Sequence, residues 1–429
     1  MLRTPAFIVY FANWRLHEQP EAPCAEVCQM PWDKVRYINH AFWKVVPDDP
    51  TPRTDARTAF HIESICPESD LGHPEPSERC PGAPRGHFAQ YARMAARYPD
   101  VGVVLSIGGW GNSGCFSEMS YTAGGRASFV ASCVALIRKY PWLAGIDIDW
   151  EYPGMPRPAD GPGPREEGCP VFGASNADDY ETDRRNFTRL MADLRAGLDS
   201  AFGTGVKLVT CCCAADTRVV LPRQDWAAVA RYADAINIMT YDMAGHEGKT
   251  GHHTSVAVTR RAVDYLLKAG VPAQRLCIGT PYYPHCYQVE PEADPSLVGA
   301  PCVRCGHTRQ RELAALLAER TTIGALDRIE ALPADNTYGL HVAYDEAQGA
   351  AYAYGACPGT PLERLFLSYE SERSLAAKLE LIRQLGLAGL IVWEIGQDDE
   401  PRNWPGTAVI AERLGIRNQP ASQGDAGAR

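Results

Sequence analysis

The feature that most constrains the fold of this chain is a repeated alternation of short apolar runs with longer amphipathic stretches. Short runs rich in β-branched and aromatic residues predict buried β-strands. Eight such runs are present: Ala6–Phe11, Val35–Phe42, Val101–Ile107, Gly145–Trp150, Lys207–Ala214, Ala235–Tyr241, Leu276–Tyr282 and Ala388–Trp393.

Helical patterns lie between these strands: Gly86–Ala96, Arg126–Tyr140, Asp179–Ala201, Trp226–Tyr232, Thr259–Ala269 and Glu372–Leu385. Strands that alternate with helices indicate βαβ units and a parallel sheet. Eight repeats favour a closed (β/α)₈ TIM barrel of the α/β class. An open, doubly wound sheet is the alternative, but no glycine-rich dinucleotide fingerprint follows the first strand.

Three long insertions interrupt the pattern, at Asp48–Arg85, Tyr152–Asp178 and Pro284–Phe366. Loops after barrel strands build the active-site face, so we expect these insertions to shape a cleft. The predicted domains are a barrel over residues 5–283 and 367–416, a small subdomain over 284–366, and a disordered tail over 417–429.

The charge balance excludes several classes of function. Acidic residues outnumber Lys and Arg by 52 to 42, the formal net charge is −10, and no basic block is present. We therefore expect neither a nucleic-acid nor a membrane partner. The longest uncharged stretch, Val101–Ser117, is too rich in Gly, Ser and Asn for a transmembrane helix.

The N-terminal residues lack the pattern of a signal peptide, which predicts a cytoplasmic protein, or a secreted one if a signal has been removed. The 15 cysteines are odd in number and cannot all pair within one chain. The run Cys211–Cys213 lies in an apolar segment, where cysteine acts as a small hydrophobic residue, and we expect mostly reduced thiols.

The fourth predicted strand carries three acids at alternate positions, Asp147, Asp149 and Glu151. This spacing places all three on one face, about 7 Å apart between neighbours. The apolar residues between them would then point to the helical layer. A solvated edge strand with outward acids is the alternative, but the β-branched run argues against it.

Three acids facing a barrel interior are costly unless they share protons and their pKa values separate. Such a set can keep one carboxyl protonated near neutral pH, which a general acid requires. The strand therefore predicts a catalytic site.

This segment resembles the DxxDxDxE signature of glycoside hydrolase family 18, the chitinase family. Ser106–Trp110 resembles the family's SxGG motif, Met239–Asp242 its MxYD motif, and Trp393 its tryptophan on the eighth strand. The resemblance extends over about residues 5 to 415, with the motifs in the family's order at strand ends. One position departs from the signature, because Ala144 stands where the family has its first Asp.

The resemblance implies substrate-assisted catalysis, in which the 2-acetamido carbonyl of the sugar is the nucleophile and an oxazolinium ion forms with retention. It implies that Glu151 is the general acid and that Asp149 hydrogen-bonds the acetamido N–H. It further implies that Asp147 shares a proton with Asp149 and that Tyr241 donates to the acetamido oxygen. Without the family's first Asp, Asp147 needs other partners, and Ser106 is the candidate. No cofactor is implied.

Trp393 would form the floor under the distorted sugar, and Asp242 would contact the sugar near the scissile bond. The remaining predicted substrate-binding residues are Met239, Tyr10, Phe42, Trp110, Ser106, Gly108 and Gly109. For the aromatic residues Tyr10, Phe42 and Trp110, plain core packing is an equal alternative.

Two further clusters have open interpretations. Cys302–His307, with His285 and Cys286 upstream, has spacing that fits a structural metal, a disulfide or free thiols, the last being favoured. His246, His252 and His253 follow the sixth strand, where we expect solvated loop histidines rather than substrate contacts.

The leading functional expectation is a monomeric endo- or exo-acting chitinase that cleaves chitin or chito-oligosaccharides. The insertion over 284–366, with a helical Gln310–Glu319 and strands in Tyr338–Ala353, resembles the α+β insertion domain of chitinases with deeper clefts. The alternatives are a non-catalytic glycan-binding lectin on the same fold and a hydrolase acting on N-glycan cores or peptidoglycan.

Overall fold

The computed structural model describes residues 2–18, 25–49, 58–72, 86–155, 180–244, 248–304, 339–360, 362–398 and 404–421. The strands of this part are β1 (Ala6–Ala12), β2 (Tyr37–Pro47), β3 (Phe60–Ser64), β4 (Gly102–Gly108), β5 (Leu143–Asp149), β6 (Leu208–Ala214), β7 (Ala235–Met239), β8 (Leu276–Pro281), β9 (His285–Val289), β10 (Cys302–Arg304), β11 (Leu340–Asp345), β12 (Ala350–Gly355), β13 (Leu365–Tyr369) and β14 (Gly389–Trp393). The predicted helix at 310–319 and residues 422–429 of the predicted tail lie outside the described residues.

The α-helices of the same part are α1 (Arg15–Glu18), α2 (Pro67–Leu71), α3 (His87–Arg97), α4 (Phe116–Tyr121), α5 (Ala123–Lys139), α6 (Tyr180–Phe202), α7 (Trp226–Val229), α8 (Val256–Lys268), α9 (Glu372–Leu385) and α10 (Pro405–Leu414). Side-chain N-caps begin several of them. Thr122 accepts from the Gly125 N–H at α5, and Ser255 accepts from the Val258 N–H at α8. Within the described residues, no helix has both the length and the apolar character needed to cross a membrane.

Eight parallel strands form a closed ring in the order β1-β14-β8-β7-β6-β5-β4-β2, and a further pairing of β1 with β2 closes it. β3 pairs antiparallel with the second half of β2, Trp43–Pro47. All eight predicted strands are members of this ring, so the predicted (β/α)₈ barrel is confirmed.

Along each barrel strand, side chains point alternately outward and inward, which gives an outer core against the helices and an inner core within the barrel. Ile146, Ile148 and Trp150 point outward and pack with helix residues such as Phe187 and Leu190, as the alternation predicted. The inner side is built largely of aromatic and small residues, with Tyr10 and Tyr241 among them. The acids of β5 therefore point into the barrel.

A second sheet of five antiparallel strands, in the order β10-β9-β13-β12-β11, lies in sequence between β8 and α9. Its apolar core includes Leu340, Leu365 and Leu367. Because β9 begins four residues after β8 ends, this sheet starts at the carboxyl-terminal end of the barrel. The exact subdomain boundary, 284–366, stays a prediction.

A fully buried Asp70 ties α2 to the barrel. Its Oδ1 lies 2.9 Å from His40 Nε2 and 3.2 Å from His87 Nδ1. Its Oδ2 accepts hydrogen bonds from Asn13, Trp43 and Ser64. Burial alone would raise the pKa of Asp70, but His40 and His87 hold it well below its usual range.

We expect Asp70→Asn to lower the free energy of unfolding by about 3 kcal/mol or more, because it breaks a buried charged network. Urea-induced unfolding at neutral pH measures this loss. The matched change Asp264→Asn removes an exposed pair with Arg260 and should cost below about 1 kcal/mol.

The pH dependence has a defined sign. A carboxyl whose pKa is lowered in the folded state stabilises the fold above its unfolded pKa of about 4 and loses that contribution as the pH falls. The stability difference between wild type and Asp70→Asn should therefore shrink in acid. Equal stability of the two proteins at pH 7 would contradict the role of Asp70 as an anchor.

Candidate active site

The residues predicted from the motifs meet at the carboxyl-terminal ends of the barrel strands, the face that holds active sites in such barrels. Asp147 and Asp149 lie at the end of β5, and Glu151 lies two residues beyond it. Met239 ends β7, Tyr241 and Asp242 follow two and three residues later, and Trp393 ends β14.

Asp147 is fully buried and accepts hydrogen bonds through both of its carboxylate oxygens. Oδ2 accepts from the Ser106 hydroxyl at 2.8 Å and from the Tyr10 hydroxyl at 2.9 Å. Oδ1 accepts from the Thr210 hydroxyl at 2.5 Å and from the Asn237 amide at 3.3 Å. The predicted partnership of Ser106 with Asp147 is thus present, within a larger set of donors.

The sheet register explains how these donors meet. Ser106 of β4, Asp147 of β5 and Thr210 of β6 are direct neighbours across three parallel strands. Burial raises the pKa of Asp147, while hydrogen bonds from Thr210, Ser106 and Tyr10 oppose the rise. The layer therefore stabilises a negative charge where the barrel would otherwise exclude it.

Asp149 occupies a different environment one layer further out. It is 3% exposed, and within the described residues its Oδ1 has no hydrogen-bond donor. Burial, with the nearby charges of Glu151 and Asp147, raises the pKa of Asp149 well above its usual value. This carboxyl therefore retains a proton at a pH where most Asp side chains are ionised.

The loop that carries Glu151 is fastened to the loop after β4. The Glu151 N–H donates to the Ser113 hydroxyl at 3.0 Å, and Ser113 donates to the Gly109 carbonyl at 2.8 Å. The Gly109 N–H donates in turn to the Asp149 carbonyl at 2.7 Å. Glu151 itself is only partly buried, so its carboxyl is close to the buried acids and still accessible.

Gly108 and Gly109 are required by this close approach. Both have positive φ, +115° and +87°, which L side chains rarely adopt. A Cβ on Gly108 would lie 2.1 Å from the Asp149 carbonyl oxygen, and a Cβ on Gly109 would lie 2.5 Å from the Phe42 ring. The predicted glycines therefore shape the site through the backbone.

Tyr241 is 7% exposed and lies at the same end of the barrel. Burial, with charges that include Asp149, Asp242 and Glu151, raises the pKa of Tyr241 well above its usual value. Its hydroxyl therefore stays protonated and can donate a hydrogen bond into the site.

Aromatic rings form the floor beside these acids. Trp393 stacks on Phe42 with centroids 5.5 Å apart and an interplanar angle of 16°, and it contacts Tyr10 at 5.7 Å. Trp14, which the sequence analysis did not single out, lies 6.1 Å from Trp393. Trp110 stands at the rim, 52% exposed and 6.3 Å from Tyr152. Tyr10 serves both layers, since its ring contacts Trp393 and its hydroxyl contacts Asp147.

Two histidines that follow β7, the sixth strand of the barrel, are not the solvated loop residues that the sequence predicts. His253 is fully buried and His252 is 9% exposed, so the prediction of solvated loop residues is wrong for both. His252 pairs with Asp345 of β11 instead, and the His253 N–H donates to the Ser368 hydroxyl of β13, so both residues contact the second sheet. His246 lies outside the described residues.

Asp242 faces two buried imidazole rings, those of His253 and His285. Its Oδ1 lies 2.6 Å from His285 Nε2 and 3.9 Å from His253 Nδ1. Partial burial opposes ionisation, but the two imidazoles hold the pKa of Asp242 well below its usual range. His285, which the sequence analysis grouped with the cysteines of Cys302–His307, thus contacts Asp242. Cys305 and His307 of that predicted cluster lie outside the described residues.

Sequence reasoning missed Thr210, Cys212 and Asn237. The Cys212 thiol lies 3.1 Å from the Tyr10 hydroxyl and 3.7 Å from Asp147 Oδ2. Thr210 and Cys212 alternate on β6 as Asp147 and Asp149 alternate on β5, so the period of two was the available signal.

Comparison with known sequences matches residues 6–398 to the sequence model of the glycosyl hydrolases family 18. Among curated proteins, the chain is 28% identical to Chitinase A of Pseudoalteromonas piscicida over 353 residues, which is 73% of this chain and 40% of that protein. It is 25% identical to Chitinase C of Streptomyces lividans over 424 residues, 92% of this chain and 58% of that protein. The chain spans only 40% to 60% of the length of the first such relatives.

Solved structures show the same fold. Chitinase ChiA74 from Bacillus thuringiensis superposes with a TM-score of 0.74 at 21% identity, over 99% of this chain and 71% of that chain. The Group IV chitinase of Ostrinia furnacalis in complex with allosamidin superposes with a TM-score of 0.71 at 22% identity, over 96% of this chain and 98% of that chain.

We expect Gly108→Ala to destabilise the protein by more than about 1 kcal/mol, because the added methyl meets backbone and the φ is unfavourable. Thermal unfolding measures the change. Gly111→Ala is the control, since a Cβ there meets nothing within 4 Å. If both variants have the same unfolding temperature as the wild type, the close approach of β4 to Asp149 does not constrain the fold.

Proposed function

The chain belongs to the glycosyl hydrolases of family 18, and from this membership we propose that it cleaves β-1,4 bonds between N-acetylglucosamine units of chitin or chito-oligosaccharides. The observation that carries the proposal is the free acceptor oxygen on buried Asp149, beside the protonated hydroxyl of Tyr241. An acetamido group offers one N–H donor and one carbonyl acceptor, which this pair complements.

In the proposed reaction, Glu151 protonates the glycosidic oxygen as the bond to C1 breaks. The acetamido carbonyl oxygen attacks C1 and forms an oxazolinium ion, which water opens with retention after Glu151 removes its proton. Asp149 accepts the acetamido N–H, and Tyr241 donates to the carbonyl oxygen. These contacts hold the nucleophile in line with C1, which is a proximity effect.

Asp147, one layer deeper in the barrel than Asp149, shares a proton with Asp149. Its hydrogen-bond donors support a negative charge there when Asp149 keeps the proton. In this proposal they also take the place of the family's first signature Asp, where this chain has Ala144.

The aromatic floor supports a sugar substrate. Trp393, stacked on Phe42, presents an apolar surface against which the C–H face of a sugar ring can pack. Trp110 at the rim would extend the groove by a further sugar.

One feature favours a second candidate, a glycan-binding lectin on the same fold, because Ala144 removes one acid of the signature. Glu151, Asp149 and Tyr241 are all retained, which favours catalysis. A binding protein would leave an N-acetylglucosamine hexamer intact.

The cysteines bear on where the protein acts. Of the described cysteines, Cys28 and Cys115 are disulfide-bonded. Structural disulfides are typical of exported proteins, so they favour secretion over the cytoplasm. Free buried thiols occur at Cys133, Cys211, Cys212, Cys213 and Cys277.

We expect Glu151→Gln to lower kcat on N-acetylglucosamine hexamer by at least about 100-fold, since it removes the general acid. Mass spectrometry of the products measures turnover, and calorimetry should show hexamer affinity close to that of the wild type. Glu380→Gln, on the exposed side of α9, is the control and should retain activity. Wild-type rates in Glu151→Gln would overturn the acid assignment, and an intact hexamer with wild-type protein would favour the lectin.

We expect Thr210→Val to move the acidic limb of the kcat/KM profile to higher pH by about one unit. Burial raises the pKa of Asp147, and the Thr210 hydrogen bond is the first of the contacts that lower it. Loss of that bond raises the pKa, so Asp147 becomes protonated over a wider acidic range. Thr188→Val, on α6, is the control. An unchanged limb, or a shift to lower pH, would contradict the proposed charge on Asp147.

A further inference from the structure

Beside the catalytic acids, three side chains from different segments converge on one point. Asp242 follows β7, His253 precedes α8, and His285 begins β9. One potential ligand atom from each lies within 4.8 Å of the other two. The glycan chemistry proposed above uses neither histidine.

His253 is the unusual member of this group. It is fully buried, and within the described residues neither ring nitrogen makes a hydrogen bond. Buried imidazoles nearly always have a partner, so an orphaned one needs an explanation. The ring is held firmly, because it stacks on His285 at 4.2 Å and 15° and its backbone N–H donates to the Ser368 hydroxyl.

His285 has the arrangement of a metal-binding imidazole. Its Nε2 faces Asp242, and its Nδ1 lies 3.1 Å from the Tyr287 hydroxyl. A hydrogen bond on the second ring nitrogen fixes the orientation of a metal-ligating histidine. Asp242 is half-exposed, with 49% of its side chain accessible, so the cluster is open to solvent at this residue.

We propose that Asp242, His253 and His285 bind one divalent transition-metal ion of the zinc class. Two imidazoles and one carboxylate are a common ligand set for such ions and leave positions for water. The ligand atoms would close to about 2.0–2.2 Å from the ion. The Asp242–His285 contact of 2.6 Å would then be replaced by bonds from both groups to the metal.

A second buried cluster, His40, Asp70 and His87, has similar composition but a different environment. Asp70 Oδ2 already accepts from Asn13, Trp43 and Ser64. All three cluster side chains are fully buried, so no route from solvent is apparent among the described residues. We therefore assign the metal to the cluster beside the groove.

The test uses tag-free chain, stripped with a chelator and titrated with Zn²⁺ by calorimetry. We expect one ion per chain, with the affinity reduced at least about tenfold in His253→Gln and in His285→Gln, because each removes a ligand. His252→Gln is the matched control, since His252 is adjacent but pairs with Asp345. That variant should bind as the wild type does.

Three outcomes would overturn the proposal: no stoichiometric binding, unchanged affinity in both ligand variants, or equal loss in His252→Gln. If the ligand variants fail to fold, NMR of the Co²⁺-loaded wild type tests whether histidine rings bind the metal. Its NMR spectrum should contain paramagnetically shifted N–H signals from histidine rings, and their absence would refute imidazole ligation. The titration needs no glycan, so its result is independent of the proposed catalysis.

Discussion

The structure depends on holding two carboxyl groups, Asp147 and Asp149, inside a barrel that ordinarily excludes charge. Burial raises both pKa values, and what separates the two acids is their hydrogen bonding. Asp147 accepts hydrogen bonds from Ser106, Tyr10, Thr210 and Asn237 and from the Cys212 thiol, whereas Asp149 Oδ1 has no donor among the described residues. One position therefore supports charge and the other retains a proton, which is the asymmetry that proton sharing requires.

This asymmetry follows from sheet register. Parallel strands place Ser106, Asp147 and Thr210 side by side, so the donors reach the carboxylate without any loop rearrangement. Asp149 lies one layer nearer the carboxyl-terminal end of the barrel, where its neighbour on β4 is Gly108, which has no side chain to donate a hydrogen bond. A barrel offers this layering because inward side chains come from alternate positions of every strand. The support for Asp147 without an acid at position 144 has the same origin, since neighbouring strands each contribute a polar residue at the right height.

The strand periodicity was enough to predict the barrel, because each strand of the ring is a short apolar run bounded by polar residues. The acids of β5 and the motif at Tyr241 and Asp242 were predictable for the same reason, since they end such runs. The burial of His252 and His253 was not predictable. It arises from contacts with the second sheet, including Asp345 and Ser368, which lie far away in sequence. Local sequence patterns carry no information on burial by residues that are distant in the sequence.

Asp242 joins these two parts of the molecule. It follows Tyr241 directly and has φ of +58°, a conformation that an ordinary L residue adopts only when the surroundings enforce it. His253 and His285 face its carboxylate, and both rings also pack against Tyr283, the ring partner of Tyr241. The second sheet supplies His285, so that sheet contributes a side chain that contacts Asp242. An ion bound by the histidine cluster, as proposed above, would therefore contact Asp242, the residue next to Tyr241.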